Sequence, residues 1–164
     1  MSDDYLFVVY GAGSEIISPI FSAFPQSHFI GLVRNTVPQD QNVTCLSTAE
    51  LGWEENLAAS LKERSKERLI FVNAAALQFD ALLISYSKDQ IEKMIEANVR
   101  NPVIVSQIVV REMAARKFGR IINLSSFRAE IPAKGTSIYS GAKAFSNAFF
   151  VAMLLGKTVS SLPS

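Results

Sequence analysis

Short apolar runs of strand length, each closed by polar or glycine breakers and separated by helical stretches, limit most strongly what this chain can fold into. Tyr5 to Tyr10 (YLFVVY) is the first. A run with no polar residue alternating through it suits a strand buried on both faces. His28 to Val33, Asn42 to Leu46, Arg68 to Ala74 and Gly119 to Ser125 read as further strands. Helical patterns fall between them. Glu15 to Phe24 is one, with Pro19 in its first turn, where proline is tolerated. Trp53 to Arg64 is amphipathic, with Trp53, Leu57 and Leu61 at four-residue steps. Ser87 to Lys117 predicts a long helix kinked around Asn98 to Pro102, and Ser137 to Leu155 predicts another. Strands alternating with helices predict an α/β fold, a parallel sheet built from right-handed βαβ units. Thr36 to Gln41, with Pro38, reads as a polar loop, and Gly156 to Ser164 as a frayed tail after one domain over residues 1–155.

Composition narrows the function classes. Apolar residues make up 49% of the 164, which excludes a disordered tail and fits a buried sheet. A net charge of +1 supplies no field toward nucleic acid or an anionic membrane, so neither is expected as a partner. The single cysteine, Cys45, excludes an intrachain disulfide framework and reads as a structural thiol. The acidic start Met1-Ser2-Asp3-Asp4 lacks the basic region of a secretory signal, and no apolar run reaches the ~18–20 residues of a membrane span. A cytoplasmic location is therefore expected, and the sequons at Asn42 and Asn123 are read as chance matches. His28, the only histidine, has no ligating partner nearby, so no metal site is expected. Lys62 to Arg68 mixes both signs and reads as a solvated helix face. Arg111, Arg116, Lys117 and Arg120 lie near a helix C-terminus, where cations are favoured.

Two places carry chemistry. Gly11-Ala12-Gly13-Ser14 follows the first strand and precedes a helix. Small residues there let the backbone approach a pyrophosphate, and a helix N-terminus offers N–H groups to its charge. On this segment alone, an ordinary strand-to-helix turn is an equal alternative. The second place is Tyr139-Ser140-Gly141-Ala142-Lys143, which sets Tyr139 and Lys143 four residues apart on one helix face. A free tyrosine titrates near ~10. A neighbouring lysine cation favours the phenolate, so such a pair can exchange protons near neutrality. Ser126 closes a strand thirteen positions earlier, where its hydroxyl could hold a reacting oxygen. All three side chains are expected at the carboxyl edge of the sheet, where such folds bind ligands.

Taken together, these segments resemble the short-chain dehydrogenase/reductase family. Tyr10 to Ile17 resembles its TGxxxGxG turn, Phe71 to Ala75 its NNAG strand, and Asn123 to Ser126 the strand bearing its active serine. Asn98 falls where its long-helix asparagine lies, and Tyr139 to Lys143 matches YxxxK. The resemblance implies a Rossmann-like, doubly wound sheet and hydride transfer between a nicotinamide cofactor and a small carbonyl or alcohol. In that picture Tyr139 is the general acid/base, and Lys143 tunes it and holds the nicotinamide ribose. Ser126 positions the substrate oxygen, and Asn98 holds a water in the proton relay. Asn98 also has a structural reading, as a helix-kink residue bonded to backbone, and the two are compatible. Ser125 is read as a strand-end residue. Gly11, Gly13, Ser14, Arg34, Asn73, Ala74, Tyr139 and Lys143 would contact the cofactor. Arg34, with no acid at Val33, favours NADP over NAD. The helices around Asn98 and Phe149 would form a homodimer or homotetramer.

The pattern is also broken in places. Glu15 and Ile17 stand where the turn has its second and third glycines, Val72 and Ala75 replace an Asn and a Gly of NNAG, and Cys45-Leu46 lies where an aspartate often contacts adenine. Family members run on well past this chain's end, so a sheet incomplete at its C-terminal edge, with the edge of the fifth strand exposed, is expected. The competing functions are then a non-catalytic nucleotide-binding or dimerising domain, or an inactive fragment.

Overall fold

The computed structural model describes residues 5–35 and 42–159, with side chains to residue 154. The predicted loop from Thr36 to Gln41 and the residues after Val159 lie outside the described residues. These residues fall into two compact units, the first drawn from the chain up to Ala75 with Pro102–Leu124, the second from Ala76–Asn101 with the chain from Ser125.

The first unit holds a five-stranded parallel sheet. Its strands are β1 (Tyr5–Tyr10), β2 (His28–Val33), β3 (Val43–Ser47), β4 (Arg68–Asn73) and β5 (Arg120–Asn123). Their order is β3-β2-β1-β4-β5, and every pairing is parallel. The order reverses between β1 and β4, which opens a crevice at the carboxyl ends of those strands. β1 is buried along nearly its whole length, as its unbroken apolar run requires. On one face Phe7, Val9, Phe29, Val33 and Val72 pack with Ile17 and Phe21. Phe29 stacks on Phe7 at 4.9 Å and meets Phe21 edge-on at 5.0 Å. Burying each of these rings contributes roughly 1.5–3 kcal/mol. The alternate residues Leu6, Val8, Ile30, Leu32, Leu69 and Phe71 are buried too, so both faces are covered.

Helix α1 (Ser18–Ala23) is shorter than the predicted Glu15–Phe24. Residues 14–18 instead form successive turns, with Ile17 N–H donating to Ser14 O and Ser18 N–H to Glu15 O. Pro19 has no N–H to close an α-helical bond to Glu15, so the regular helix begins around it. Helix α2 (Trp53–Glu63) buries Trp53, Leu57 and Leu61, the predicted stripe. It stops before the mixed-charge run ends, and this corrects the reading of Lys62 to Arg68 as one solvated helix face. Glu67 is largely buried and pairs with Arg64 at 3.1 Å and His28 at 3.2 Å, and Arg68 opens β4 with its guanidinium over Phe118 at 4.1 Å.

The long helix is continuous but not uniform. It runs as α3 (Lys88–Ile95), a π-helical turn over Glu96–Arg100, and α4 (Asn101–Arg116). Ser87 starts it with a capping box to Gln90, in which each side chain satisfies the other's backbone N–H. Lys117 ends it at φ 55°, and the Phe118 N–H reaches back to Met113 O at 3.2 Å. Arg116, at the end of α4, donates to the carbonyls of Leu61, Arg64 and Glu67 at 2.6, 3.0 and 2.9 Å. One guanidinium thus satisfies carbonyls at and beyond the end of α2 that the helix leaves open.

In the second unit, α5 (Ser137–Val159) packs against α3, the π turn and a short 3-10 turn at Phe127–Ala129. It runs past Leu155, where its sequence pattern ends. Two loops are stitched together beside it. The Tyr86 hydroxyl lies 2.7 Å from both Phe79 O and Gly135 O, and Ala81 N–H donates to Gly135 O at 3.1 Å. Gly135 sits at φ 83°, a conformation glycine adopts without strain. No helix among the described residues is long and apolar enough to cross a membrane.

Candidate active site

The second unit gathers the residues with proton chemistry. Tyr139 and Lys143 lie one turn apart near the start of α5, both buried. Lys143 Nζ stands 5.9 Å from the centre of the Tyr139 ring. Burial pushes the Lys143 ammonium below its ordinary value, because a low-dielectric setting disfavours the charged form. The start of α5 is held rigidly. Thr136 Oγ1 accepts from Ala133 N–H, lies 2.8 Å from Ala133 O, and meets Ser140 Oγ at 2.9 Å.

Ser126 caps the 3-10 turn that packs on α5, and its Oγ accepts the Arg128 N–H at 3.2 Å. The hydroxyl hydrogen is not used by that bond, so it can be donated to a reacting oxygen. Ser125 is exposed.

Asn98 is buried in the π turn, on the segment that packs against α5. Its amide clamps the chain that leads away from the NNAG-like strand. Nδ2 donates to Leu77 O at 2.7 Å and to Met94 O at 2.9 Å, and Oδ1 accepts the Leu77 N–H at 3.0 Å. Both amide hydrogens and one of the two Oδ1 lone pairs are thereby used. The backbone-bonded reading of Asn98 is thus visible in the structure, and the kink predicted near it is a π turn. Such turns recur at functional sites.

Apart from Tyr139 and Lys143, the residues expected to meet a cofactor lie in the first unit. They cluster at the carboxyl ends of adjacent strands: Gly11, Gly13 and Ser14 after β1, Arg34 after β2, and Asn73 and Ala74 at and after the end of β4. Gly11 has φ +90°, and its N–H donates to Leu32 O at 2.9 Å. A Cβ there would stand 2.6 Å from Ala75 N, so only glycine lets the two strand exits touch. Gly13 and Arg34 are exposed, whereas Asn73 and Ala74 are buried. Asn73 Nδ2 donates to Asn123 Oδ1 at 2.7 Å, and Asn73 Oδ1 is buried without a partner among the described residues. A glycine cradle, an exposed cation and an unsatisfied acceptor on neighbouring strand ends suit a polar anionic dinucleotide. In the sequence Asn123 reads as a chance sequon and as part of the active-serine strand, not as a site residue. The available signal was that both strands close on asparagine.

Two side chains outside these sets are also placed. His28 bonds Glu67 rather than gathering ligands, and the described residues hold no group of three or more histidine, cysteine or acidic side chains that could bind a metal. Cys45 is half-buried, and burial pushes its thiol up, away from the reactive thiolate.

The chain is similar to known dehydrogenases in sequence and in fold. A probable NADP-dependent dehydrogenase of Haemophilus influenzae is 40% identical over 57 residues, covering 35% of this chain and 23% of that protein. The 3-oxoacyl-(acyl-carrier-protein) reductase FabG of the same organism is 26% identical over 144 residues, covering 88% of this chain and 54% of that protein. The chain therefore spans less than two thirds of the length of these curated relatives. The aldohexose dehydrogenase of Thermoplasma acidophilum, solved in ligand-free form, shares the fold with a TM-score of 0.80 at 22% identity, over 93% of this chain and 61% of that one. The short chain dehydrogenase family matches residues 43–156. That match spans most of the chain and takes in Asn98, Ser126, Tyr139 and Lys143, so this chain belongs to the short-chain dehydrogenase family.

Proposed function

We propose that the chain is an NAD(P)-dependent oxidoreductase that interconverts a carbonyl and an alcohol on a small molecule. The observation that carries the reading is the second unit, in which α5 bears Tyr139 and Lys143 and packs against the elements bearing Asn98 and Ser126. Tyr139 exchanges the proton with the substrate oxygen. Lys143, buried one turn away on the same helix, would hold a ribose hydroxyl. Ser126 donates its hydroxyl hydrogen to the same oxygen. Asn98 fixes the π turn, and its remaining Oδ1 lone pair can hold a water in the proton relay. The nicotinamide supplies or accepts the hydride when bound. Gly11, Gly13 and Ser14 would seat its pyrophosphate, with Asn73 and Ala74 beside the ribose.

Arg34 supports NADP over NAD. It is exposed at the end of β2, with Val33 rather than an acid before it, which suits a 2′-phosphate. One named relative is described as NADP-dependent. Phe145, Val151 and Leu154 are exposed along α5, which supports a homodimer or homotetramer through this helix and the one carrying Asn98. The lone half-buried cysteine is in keeping with a cytoplasmic location.

The deciding experiment is titration of the purified chain with NADPH and NADH, followed by nicotinamide fluorescence and calorimetry. Saturable binding that is about tenfold tighter for NADPH, and loses that preference in Arg34→Ser, is expected. Binding of neither by a folded chain would overturn the enzymatic reading in favour of a non-catalytic domain.

A further inference from the structure

Asn73 and Asn123 close β4 and β5 at matched register. The Asn73 amide donates across the two strands to Asn123 Oδ1 at 2.7 Å. Its own Oδ1 is buried and has no partner among the described residues, so nothing on that side sets the amide's orientation. The Asn73 backbone is already committed, since its carbonyl accepts the Leu124 N–H at 2.9 Å. The two residues that follow lean on the glycine turn. Ala74 N–H donates to Tyr10 O at 2.9 Å, and Ala75 N lies where a Cβ on Gly11 would stand. A line of contact thus runs across one unit, from Asn123 through Asn73 and Ala74-Ala75 to Gly11. An apolar pair at the ends of β4 and β5 could pack there but would not fix a direction, whereas a side-chain hydrogen bond does.

We propose that Asn123 is a positioning residue for the cofactor turn: by accepting from Asn73 Nδ2, it fixes the β4 exit and so the seat of Gly11. The proposal rests on the dinucleotide reading above. The test uses the purified chain and three variants. Asn123→Leu removes the acceptor, Asn123→Asp keeps an oxygen in its place, and Asn73→Asp removes the donor. Two readouts are taken: NADPH affinity, and the Gly11 amide resonance in cofactor-free protein.

Asn123→Leu is expected to weaken NADPH binding by about tenfold and to shift the Gly11 resonance. Asn123→Asp is expected to recover affinity to within about threefold, and Asn73→Asp to behave like Asn123→Leu. Should Asn123→Leu not fold, the Gly11 resonance of the two aspartate variants in cofactor-free protein reads the same bond, independently of Asn73's own place beside the cofactor. Wild-type affinity and an unshifted Gly11 in Asn123→Leu would overturn the proposal alone. Equal weakening by Asn123→Leu and Asn123→Asp would also overturn it, since that pattern marks packing rather than a hydrogen bond. A wild-type chain that binds no dinucleotide would sink the functional reading, and this proposal with it.

Discussion

The two units keep the family pattern in different ways. In the second unit the pattern is a set of side chains: Ser126, Tyr139 and Lys143 are all present, on elements that pack together. In the first unit it is mostly backbone, and there the residues depart from the pattern at Glu15, Ile17, Val72 and Ala75. On the proposed function, the difference follows from what each half would do. Proton exchange needs particular functional groups, so a substitution removes the chemistry. A pyrophosphate seat needs strand exits at the right distance and free N–H groups, which several sequences can supply. Ile17 shows this directly. It stands where the turn has a glycine and is buried in the core cluster with Phe21 and Phe29.

If that contrast holds, variants in the two units should separate binding from chemistry. The largest effect is expected from Tyr139→Phe. Turnover should fall by about 10²–10⁴-fold while NADPH affinity stays near wild type, measured by steady-state rates beside fluorescence titration. Full activity in that variant would remove Tyr139 from the proton transfer.

Gly11→Ala should do the reverse. Its φ of +90° and the 2.6 Å approach of Ala75 N leave no room for a Cβ. Backbone strain alone should cost about 1–3 kcal/mol of stability, and dinucleotide binding should weaken with it. Denaturant midpoints and NADPH titration read both, and unchanged affinity would place the dinucleotide elsewhere.

Asn98→Ala should fall between them. It removes the partner of three backbone groups, two at half-buried Leu77 and one at buried Met94, at a cost of about 1–3 kcal/mol. Turnover should drop more than NADPH affinity does, since the π turn lies in the unit that carries Ser126, Tyr139 and Lys143. Equal losses in both would blur the comparison.

The smallest effect is a pH dependence. Burial lowers the Lys143 value below its ordinary 10.5, so between the two values the unfolded chain binds the extra proton. Stability from this group therefore rises as pH climbs through its folded value and levels off above 10.5. Lys143→Met should flatten that alkaline rise in urea midpoints. An unchanged slope would mean that the buried ammonium is stabilised by its surroundings.

Much of the fold was legible because its signals are local. β1 and β2 matched the predicted residues, and the other three strands fell within one or two positions at either end. The long helix and its interruption at Asn98 were also visible, since a kink and a cap are written in neighbouring residues. The start of α1 was misplaced by three residues: Pro19 lies in its first turn, as read, but Glu15 to Ile17 before it form turns rather than helix. Gly13 and Arg34 were placed at strand ends, but nothing local showed whether they would be exposed. The partners of Arg116 lie about fifty residues away in sequence, so no local pattern pointed to them.

The sequence by itself determined the α/β alternation, the buried strands and the residue types that could carry proton chemistry. Each of these follows from periodicity or from functional groups a few positions apart. Only the tertiary structure decided which elements meet. It paired Asn73 with Asn123 across two strands, closed the Asn98 amide on Leu77, and seated Gly11 against Ala75. Those contacts join residues some twenty to sixty positions apart, and they depend on strand order and helix packing, which a one-dimensional pattern does not encode.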